Sequence, residues 1–291
     1  IYFDNAFCIQ NVNVVDPIEG LMEEMTVVIK ENKILQIVKQ EDLRLSRKNN
    51  IIDGSHKYLI PGLWDSHVHF YFDRELALHM PELFLSSGIT SVRDTGGAFW
   101  YVDSIRQNAL NHPKTHPRVK IAGPLIDGNF NVYNGSVLPE LSIRTQTVSE
   151  SIAETERLVA QGVDFLKAYE MLSPAQFEAI AGIAKRENLR LAGHVPLSME
   201  ITRAIALGLN SLEHIKNLEL EAVKNSDSML LERRKMLKNQ AYLPGRELRG
   251  NIHQLQKQFA VDHLALEAYH SILDSIKKYE AYQVPTLSIY K

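Results

Sequence analysis

From residue 59 to its end the chain alternates between short apolar runs and stretches of helical spacing, and this alternation limits the fold more than any other feature. Strand-like runs fall at Tyr58–Phe70, Ile89–Asp94, Arg118–Ala122, Val163–Tyr169, Leu189–Val195, Asn210–His214 and Gln283–Ser288. Between them lie helix-like stretches at 74–85, 99–110, 149–160 and 198–207, with another opening at Ser173-Pro174. Ser173 is suited to cap that helix and Pro174 to its first position, with Phe177, Ile180 and Ile183 on its buried face. Strand–helix–strand repeats predict parallel strands joined by right-handed crossovers. No Gly-x-Gly-x-x-Gly turn follows a strand, which argues against an open nucleotide-binding sheet. The expected fold is therefore α/β, a (β/α)8 TIM-type barrel over 59–291 that is incomplete after strand seven.

Other segments depart from this rhythm. Residues 1–58 read as a small N-terminal β-domain, with runs at Ile9–Val15, Thr26–Lys30 and Lys33–Val38 and a Glu31-Asn32 turn joining the last two. Residues 125–146 are rich in Gly, Asn, Pro and Ser and read as a long loop, with a functional lid and plain disorder equally open. Residues 216–281 are charged and mostly helical, interrupted at Pro244-Gly245, and Arg233-Arg234-Lys235 reads as a solvated helix face.

Composition excludes several classes of function. A net charge of −3 gives no electrostatic case for nucleic acid or an anionic membrane, and no apolar run is long enough to cross a bilayer. The single cysteine, Cys8, excludes an internal disulfide and a CxxC zinc site. That suits the cytoplasm, slightly favoured here over the periplasm, although a disulfide-free periplasmic protein would look the same. The chain starts at Ile1 with no basic-then-apolar leader, so loss of a signal peptide stays open. Homo-oligomerisation also stays open.

In a barrel of this type, chemistry sits where the strands end at their C-terminal side. The stretch Leu59–Phe70 carries Asp65, His67 and His69 on one strand face, because side chains alternate along a strand. Further along, the strand ends offer Asp94, Lys167, His194 and His214. Four of the eleven histidines thus fall on one rim. The other seven (His56, His79, His112, His116, His253, His263 and His270) lie in loops or helices and read as structural or solvated. Neutral imidazole is a common zinc ligand. A lysine is not, since an ammonium has no lone pair, unless its amine has added carbon dioxide to become a carbamate able to bridge two ions. Spacing alone favours a solvated or ion-paired strand-end lysine for Lys167. An aldolase using Lys167 as a Schiff base is a competing reading, but it leaves four histidines at the same rim unexplained.

Five segments together resemble the amidohydrolase superfamily, close to its imidazolonepropionase-like and prolidase-like branch. They are Pro61-Gly-Leu-Trp-Asp-Ser-His-Val-His69, Gly88-Ile-Thr-Ser-Val-Arg-Asp-Thr-Gly-Gly97, Gly162-Val-Asp-Phe-Leu-Lys167, Ala192-Gly-His-Val-Pro196 and Ala206-Leu-Gly-Leu-Asn-Ser-Leu-Glu-His214. The resemblance implies a distorted barrel with a small β-sandwich, of which 1–58 would be a portion. It implies His67 and His69 on one divalent ion, His194 and His214 on a second, and carboxylated Lys167 bridging both, with zinc as the default metal. The bridging lysine points to two-metal, prolidase-like members, and so to hydrolysis of an amide, dipeptide or cyclic amide by a metal-activated hydroxide. It also implies a proton-shuttling aspartate at strand eight, which has no counterpart in this chain. No catalytic acid or base is therefore assignable, and the chain reads as lacking its C-terminal part. A catalytically incomplete binding or scaffold protein is the alternative. Tyr169, two residues beyond Lys167 and on the same strand face, is a candidate substrate contact, with plain packing the competing role.

Overall fold

The computed structural model of the chain describes residues 2–214, 216–239 and 243–287. It divides into two compact units, Ile1–Leu63 and Trp64–Lys291.

The first unit is built of β1 (Tyr2–Phe3), β2 (Phe7–Asp16), β3 (Gly20–Lys30), β4 (Lys33–Lys39), β5 (Arg44–Leu45), β6 (Asn50–Asp53) and β7 (Tyr58–Leu59). Its main sheet runs β4-β3-β2-β6, with β7 also on β2, while β1 pairs with β5. β2–β3 and β3–β4 are antiparallel. Glu31 and Asn32, between β3 and β4, have φ of 51° and 60°, as a two-residue hairpin turn that follows the strand twist requires. Alternation splits the sheet's apolar residues between two faces. Val12, Val14 and Val27 are buried in one cluster, and Cys8 and Val28 in another with Leu43.

The second unit carries the alternating pattern. β8 (Leu63–Val68), β9 (Ile89–Asp94) and β10 (Arg118–Ile121) form one three-stranded sheet in the order β10-β9-β8. A six-stranded sheet runs β12-β11-β13-β14-β15-β16, using β11 (Leu125–Asp127), β12 (Ser142–Arg144), β13 (Leu166–Ala168), β14 (Leu191–Gly193), β15 (Leu209–Glu213) and β16 (Tyr282–Val284). Its pairings are parallel throughout. The helices are α1 (Met80–Ser86), α2 (Phe99–Asn111), α3 (Val148–Ala160), α4 (Pro174–Arg186), α5 (Ile201–Leu207), α6 (Lys216–Glu221), α7 (Ser226–Asn239), α8 (Gly245–Asp262) and α9 (Leu266–Lys278). The fold is thus α/β with parallel sheets. The largest core cluster joins strands to helices, with Leu166, Leu191 and Leu212 from the sheet meeting Leu158, Phe177, Ile180 and Ile205. Ser173 and Gln176 form a reciprocal capping box at the start of α4, and Thr147 caps α3 through the Glu150 N–H.

Three local expectations change. The segment 125–146 is neither plain loop nor disorder: β11 and β12 pair within it, and its turn is organised by buried Asp127. The Asp127 carboxylate accepts backbone N–H bonds from Gly128 (2.9 Å), Val132 (3.0 Å) and Met171 (2.8 Å). The helix expected over 74–85 is shorter: a separate 3-10 turn at Leu76–Leu78, whose Leu76 N–H donates to the Asp73 carboxylate at 3.0 Å, precedes α1, and Pro81 sits in the first turn of α1. Arg233 is not solvated. Its guanidinium is buried and bonds the Leu197 carbonyl at 3.0 Å and Gln256 at 3.1 Å, tying α7 and α8 to the loop after β14. The seventh expected strand survives as Tyr282–Val284, and Ser288 lies outside the described residues. Among the described residues, no helix is long and apolar enough to cross a membrane.

Candidate metal centre

The strand ends do bring the expected side chains together. His67 lies near the end of β8 and His69 just beyond it, Lys167 is in the middle of β13, and His194 and His214 directly follow β14 and β15. The ring centroid of His67 lies 5.1 Å from that of His69 and 4.5 Å from that of His214, and His214 and His194 are 5.0 Å apart. Close strand approach makes this possible. A Cβ on Gly193 would sit 2.3 Å from the Ala168 carbonyl oxygen, so only glycine lets β14 bring His194 this near to β13. His214 turns out of its strand with a φ of 61°, and its backbone N–H is held by the Val284 carbonyl on β16 at 2.8 Å. A left-handed non-glycine residue at a strand end is the kind of strain found at functional sites.

Partners select the tautomers of three of these imidazoles. His69 Nδ1 lies 2.9 Å from the Gly96 carbonyl, which can only accept, so Nδ1 carries the proton. His67 Nδ1 lies 2.5 Å from Glu213 and His194 Nδ1 2.5 Å from Glu170. Both carboxylates are fully buried and both are held ionised. Burial alone pushes Glu213 upward, but the Lys167 charge, the His67 bond and Arg93 bring it well below the usual carboxylate range. Glu170 follows the same pattern, with burial opposed by Arg249, His194 and His253. Each Nδ1 is therefore a donor, and each Nε2 is left with its lone pair exposed to the centre.

Burial, and after it the nearby Lys167 charge, brings His67 down to about 3. Burial likewise brings His69 to about 4 and His194 to about 3. At neutral pH these rings are uncharged, the form in which imidazole binds a metal. The Nε2 atoms of His67 and His69 then face each other at 3.2 Å with no proton between them. The Thr95 hydroxyl, 3.4 Å from His69 Nε2, is too distant to fill that gap. Lys167 is 1% exposed, its Nζ has no hydrogen-bond partner among the described residues, and burial lowers its pKa to about 8. Among the described residues, no group of three or more His, Cys, Asp or Glu side chains is placed so that it could hold a metal ion. The group present is instead the facing Nε2 atoms of His67 and His69, two further imidazoles and the buried Lys167 amine.

Asp65 accepts the His67 backbone N–H at 3.1 Å, and Asp94 accepts those of Phe70 and Gly96, so both shape the strand ends. The Tyr169 ring lies 4.4 Å from His194 and 5.7 Å from Tyr133. Sequence reasoning missed Glu170, Glu213, Arg93, Arg249 and His253. His253, expected to be structural or solvated, lies 3.5 Å from Glu170. For Glu213 a signal existed, its place next to His214, but its pairing with His67 spans 146 residues.

Residues 58–265 match the amidohydrolase family. The chain belongs to that family. Divalent metal binding is typical of amidohydrolases, in keeping with the donor set above. The amidohydrolase chain is 26% identical over 271 residues to an adenine deaminase of Clostridium perfringens (strain 13 / Type A), covering 87% of this chain and 44% of that protein. It is 24% identical over 224 residues to an N-acetylglucosamine-6-phosphate deacetylase of Lysinibacillus sphaericus, covering 73% and 56%. It thus spans about half the length of these curated relatives. A crystal structure of a prolidase complexed with N-methylphosphonate-L-proline superimposes with a TM-score of 0.66 at 19% identity, over 96% of this chain and 77% of that one.

Proposed function

We propose that this amidohydrolase chain carries the centre of a metal-dependent hydrolase acting on C–N bonds of small amide, dipeptide or cyclic-amide substrates. The observation that carries the reading is the pair of Nε2 lone pairs facing at 3.2 Å on His67 and His69, beside the buried, unpartnered amine of Lys167. In this reading β8–β16 and their helices form a TIM-type barrel open after its seventh unit, and residues 1–58 are a portion of a small β-sandwich. His67 and His69 would hold one divalent ion, His194 and His214 a second, and Lys167 would bridge both as a carbamate. Zinc is the default for imidazole donors. When bound, such ions supply Lewis acidity and a water of lowered pKa.

The chain's own residues prepare that chemistry. Lys167 is eased toward its uncharged form by burial. Once the ammonium has given up one proton, the neutral amine can attack carbon dioxide, forming an N–C bond and releasing a second proton, so that a cation becomes an anion with two donor oxygens. Glu213 and Glu170 hold the Nδ1 protons of His67 and His194, aiming each Nε2 inward. Tyr169, lying on His194, is the side chain of this group that would meet substrate. No residue of this chain is assigned the proton transfer to the leaving nitrogen. The names of the two curated relatives, a deaminase and a deacetylase, support C–N hydrolysis as the reaction class. The lysine favours two-metal, dipeptide-type chemistry within it.

The test uses the protein expressed from its complete gene. Elemental analysis is expected to find two divalent ions per chain. Chelation should abolish amine release from a panel of dipeptides and acyl-amino acids, and zinc should restore it. Unchanged hydrolysis by chelated, metal-free protein would overturn the reading.

A further inference from the structure

Two of the inward-facing histidines are held by the same device, a buried carboxylate tied in turn to an arginine. For His67 the chain is Glu213 to Arg93, whose Nη2 lies 2.6 Å from Glu213. Arg93 belongs to β9, beside β8 in the sheet, so this pair is built into the strands. For His194 the carboxylate is Glu170, and its cation comes from elsewhere. Arg249 Nε lies 2.7 Å from Glu170 Oε2 and its Nη2 3.0 Å from Oε1, a two-pronged grip. Arg249 lies on α8, within the run of helices that interrupts the strand–helix alternation between β15 and β16. One turn further along α8, His253 lies 3.5 Å from the same carboxylate.

Helix α8 is seated by features that serve no helix-forming purpose. A Cβ on Gly245, its first residue, would stand 1.5 Å from the Phe130 carbonyl oxygen, so only glycine allows the helix to begin against that turn. Leu248 and Ile252 are fully buried in a cluster with Leu197, Leu220 and Val223. Leu197 directly follows the His194-Val195-Pro196 stretch. With α8 seated this way, the two-pronged grip fixes the plane of the Glu170 carboxylate, and that plane fixes where the His194 ring can turn.

We propose that Arg249 is a positioning residue for the second ion: acting through Glu170, α8 sets the aim of His194 and with it that ion's affinity. The inference rests on the metal-site reading above. Without Arg249, the fully buried Glu170 carboxylate loses its two-pronged grip and can rotate. The His194 Nδ1 proton then loses its fixed acceptor. Removal of such an outer partner lowers metal affinity by about 10–100-fold. The effect is selective, since His67 and His69 keep Glu213 and Gly96.

Cobalt titration of the metal-free full protein tests this, read by visible absorption and by competition with a chromophoric chelator. In Arg249→Ala, one ion is expected to bind about 10–100-fold more weakly, while the other keeps wild-type affinity. Arg249→Lys should recover part of the loss, and the metal-free melting temperature should stay near wild type. If the alanine variant does not fold, Arg249→Met, which keeps the apolar stem, carries the same comparison. Wild-type affinity for both ions in a folded variant would overturn the proposal. Equal weakening of both ions together with a lowered metal-free melting temperature would also overturn it, because that is the result of a merely structural contact. Wild-type protein that takes up no cobalt would instead overturn the metal-site reading, and this inference with it.

Discussion

Lys167→Ala is expected to lose bound metal and at least about 10³-fold in hydrolysis, while the metal-free protein becomes no less stable. The size follows from the several kcal/mol that metal activation supplies, about 4 kcal/mol corresponding to a thousandfold. The absence of a stability cost follows from the surroundings. Lys167 is fully buried, its Nζ has no hydrogen-bond partner among the described residues, and its charge opposes protonation of His67, His69 and His194. Removing this buried amine relieves a desolvation cost that outweighs its attraction to Glu213. The cavity left by the aliphatic stem offsets part of that gain. A lysine kept for packing or for an ion pair would behave oppositely, costing stability and leaving metal content untouched. Metal analysis and thermal unfolding of the metal-free variant therefore separate the two roles. Unchanged metal content and wild-type turnover would remove the bridging assignment.

Asp127→Ala is expected to cost about 3–5 kcal/mol, near the upper end for a single substitution. Three backbone N–H groups, of Gly128, Val132 and Met171, converge on this one carboxylate. Each N–H left without an acceptor in a buried site costs about 1–3 kcal/mol, less where water enters. Asp127→Asn keeps one oxygen for two of the three donors and presents an NH2 to the third, so its loss should be about half as large. The damage should also spread to the centre. Met171 follows Glu170, and the Val132–Tyr133 turn carries the ring that meets Tyr169. Urea unfolding of both variants measures the stability loss, and metal affinity measures its spread. An alanine variant within 1 kcal/mol of wild type would show that water or a rearranged turn satisfies the three donors.

The donor side chains were legible in the sequence because their placement is a local matter. His67 and His69 share a face through the two-residue period of a strand, and Lys167, His194 and His214 each sit at or just beyond a recognisable apolar run. The outer partners were not legible. Glu170 reads as an acidic residue after a strand, and Arg249 and His253 read as the polar face of a surface helix. Their meeting depends on a 79-residue separation being closed by packing. Arg233 was misread for the same reason: composition marks it as solvated, but burial with carbonyl and amide partners is a property of the assembled helices. Asp127 was hidden in a stretch whose Gly, Asn and Pro content resembles an unstructured connection. One carboxylate accepting three N–H bonds turns it into an ordered turn with two strands.

By itself, then, the order of residues determined the succession of strands and helices, the strand ends at which the histidines fall, and the family to which the chain belongs. These follow from periods of two and 3.6 residues and from short motifs that every chain segment carries locally. Tertiary structure alone decided which nitrogen of His67, His69 and His194 faces inward, that Lys167 is buried, and that a helix outside the strand–helix repeat secures Glu170. Those outcomes depend on burial and on angstrom-scale distances between groups remote in sequence. In a low-dielectric interior such distances set both charge state and hydrogen-bond direction.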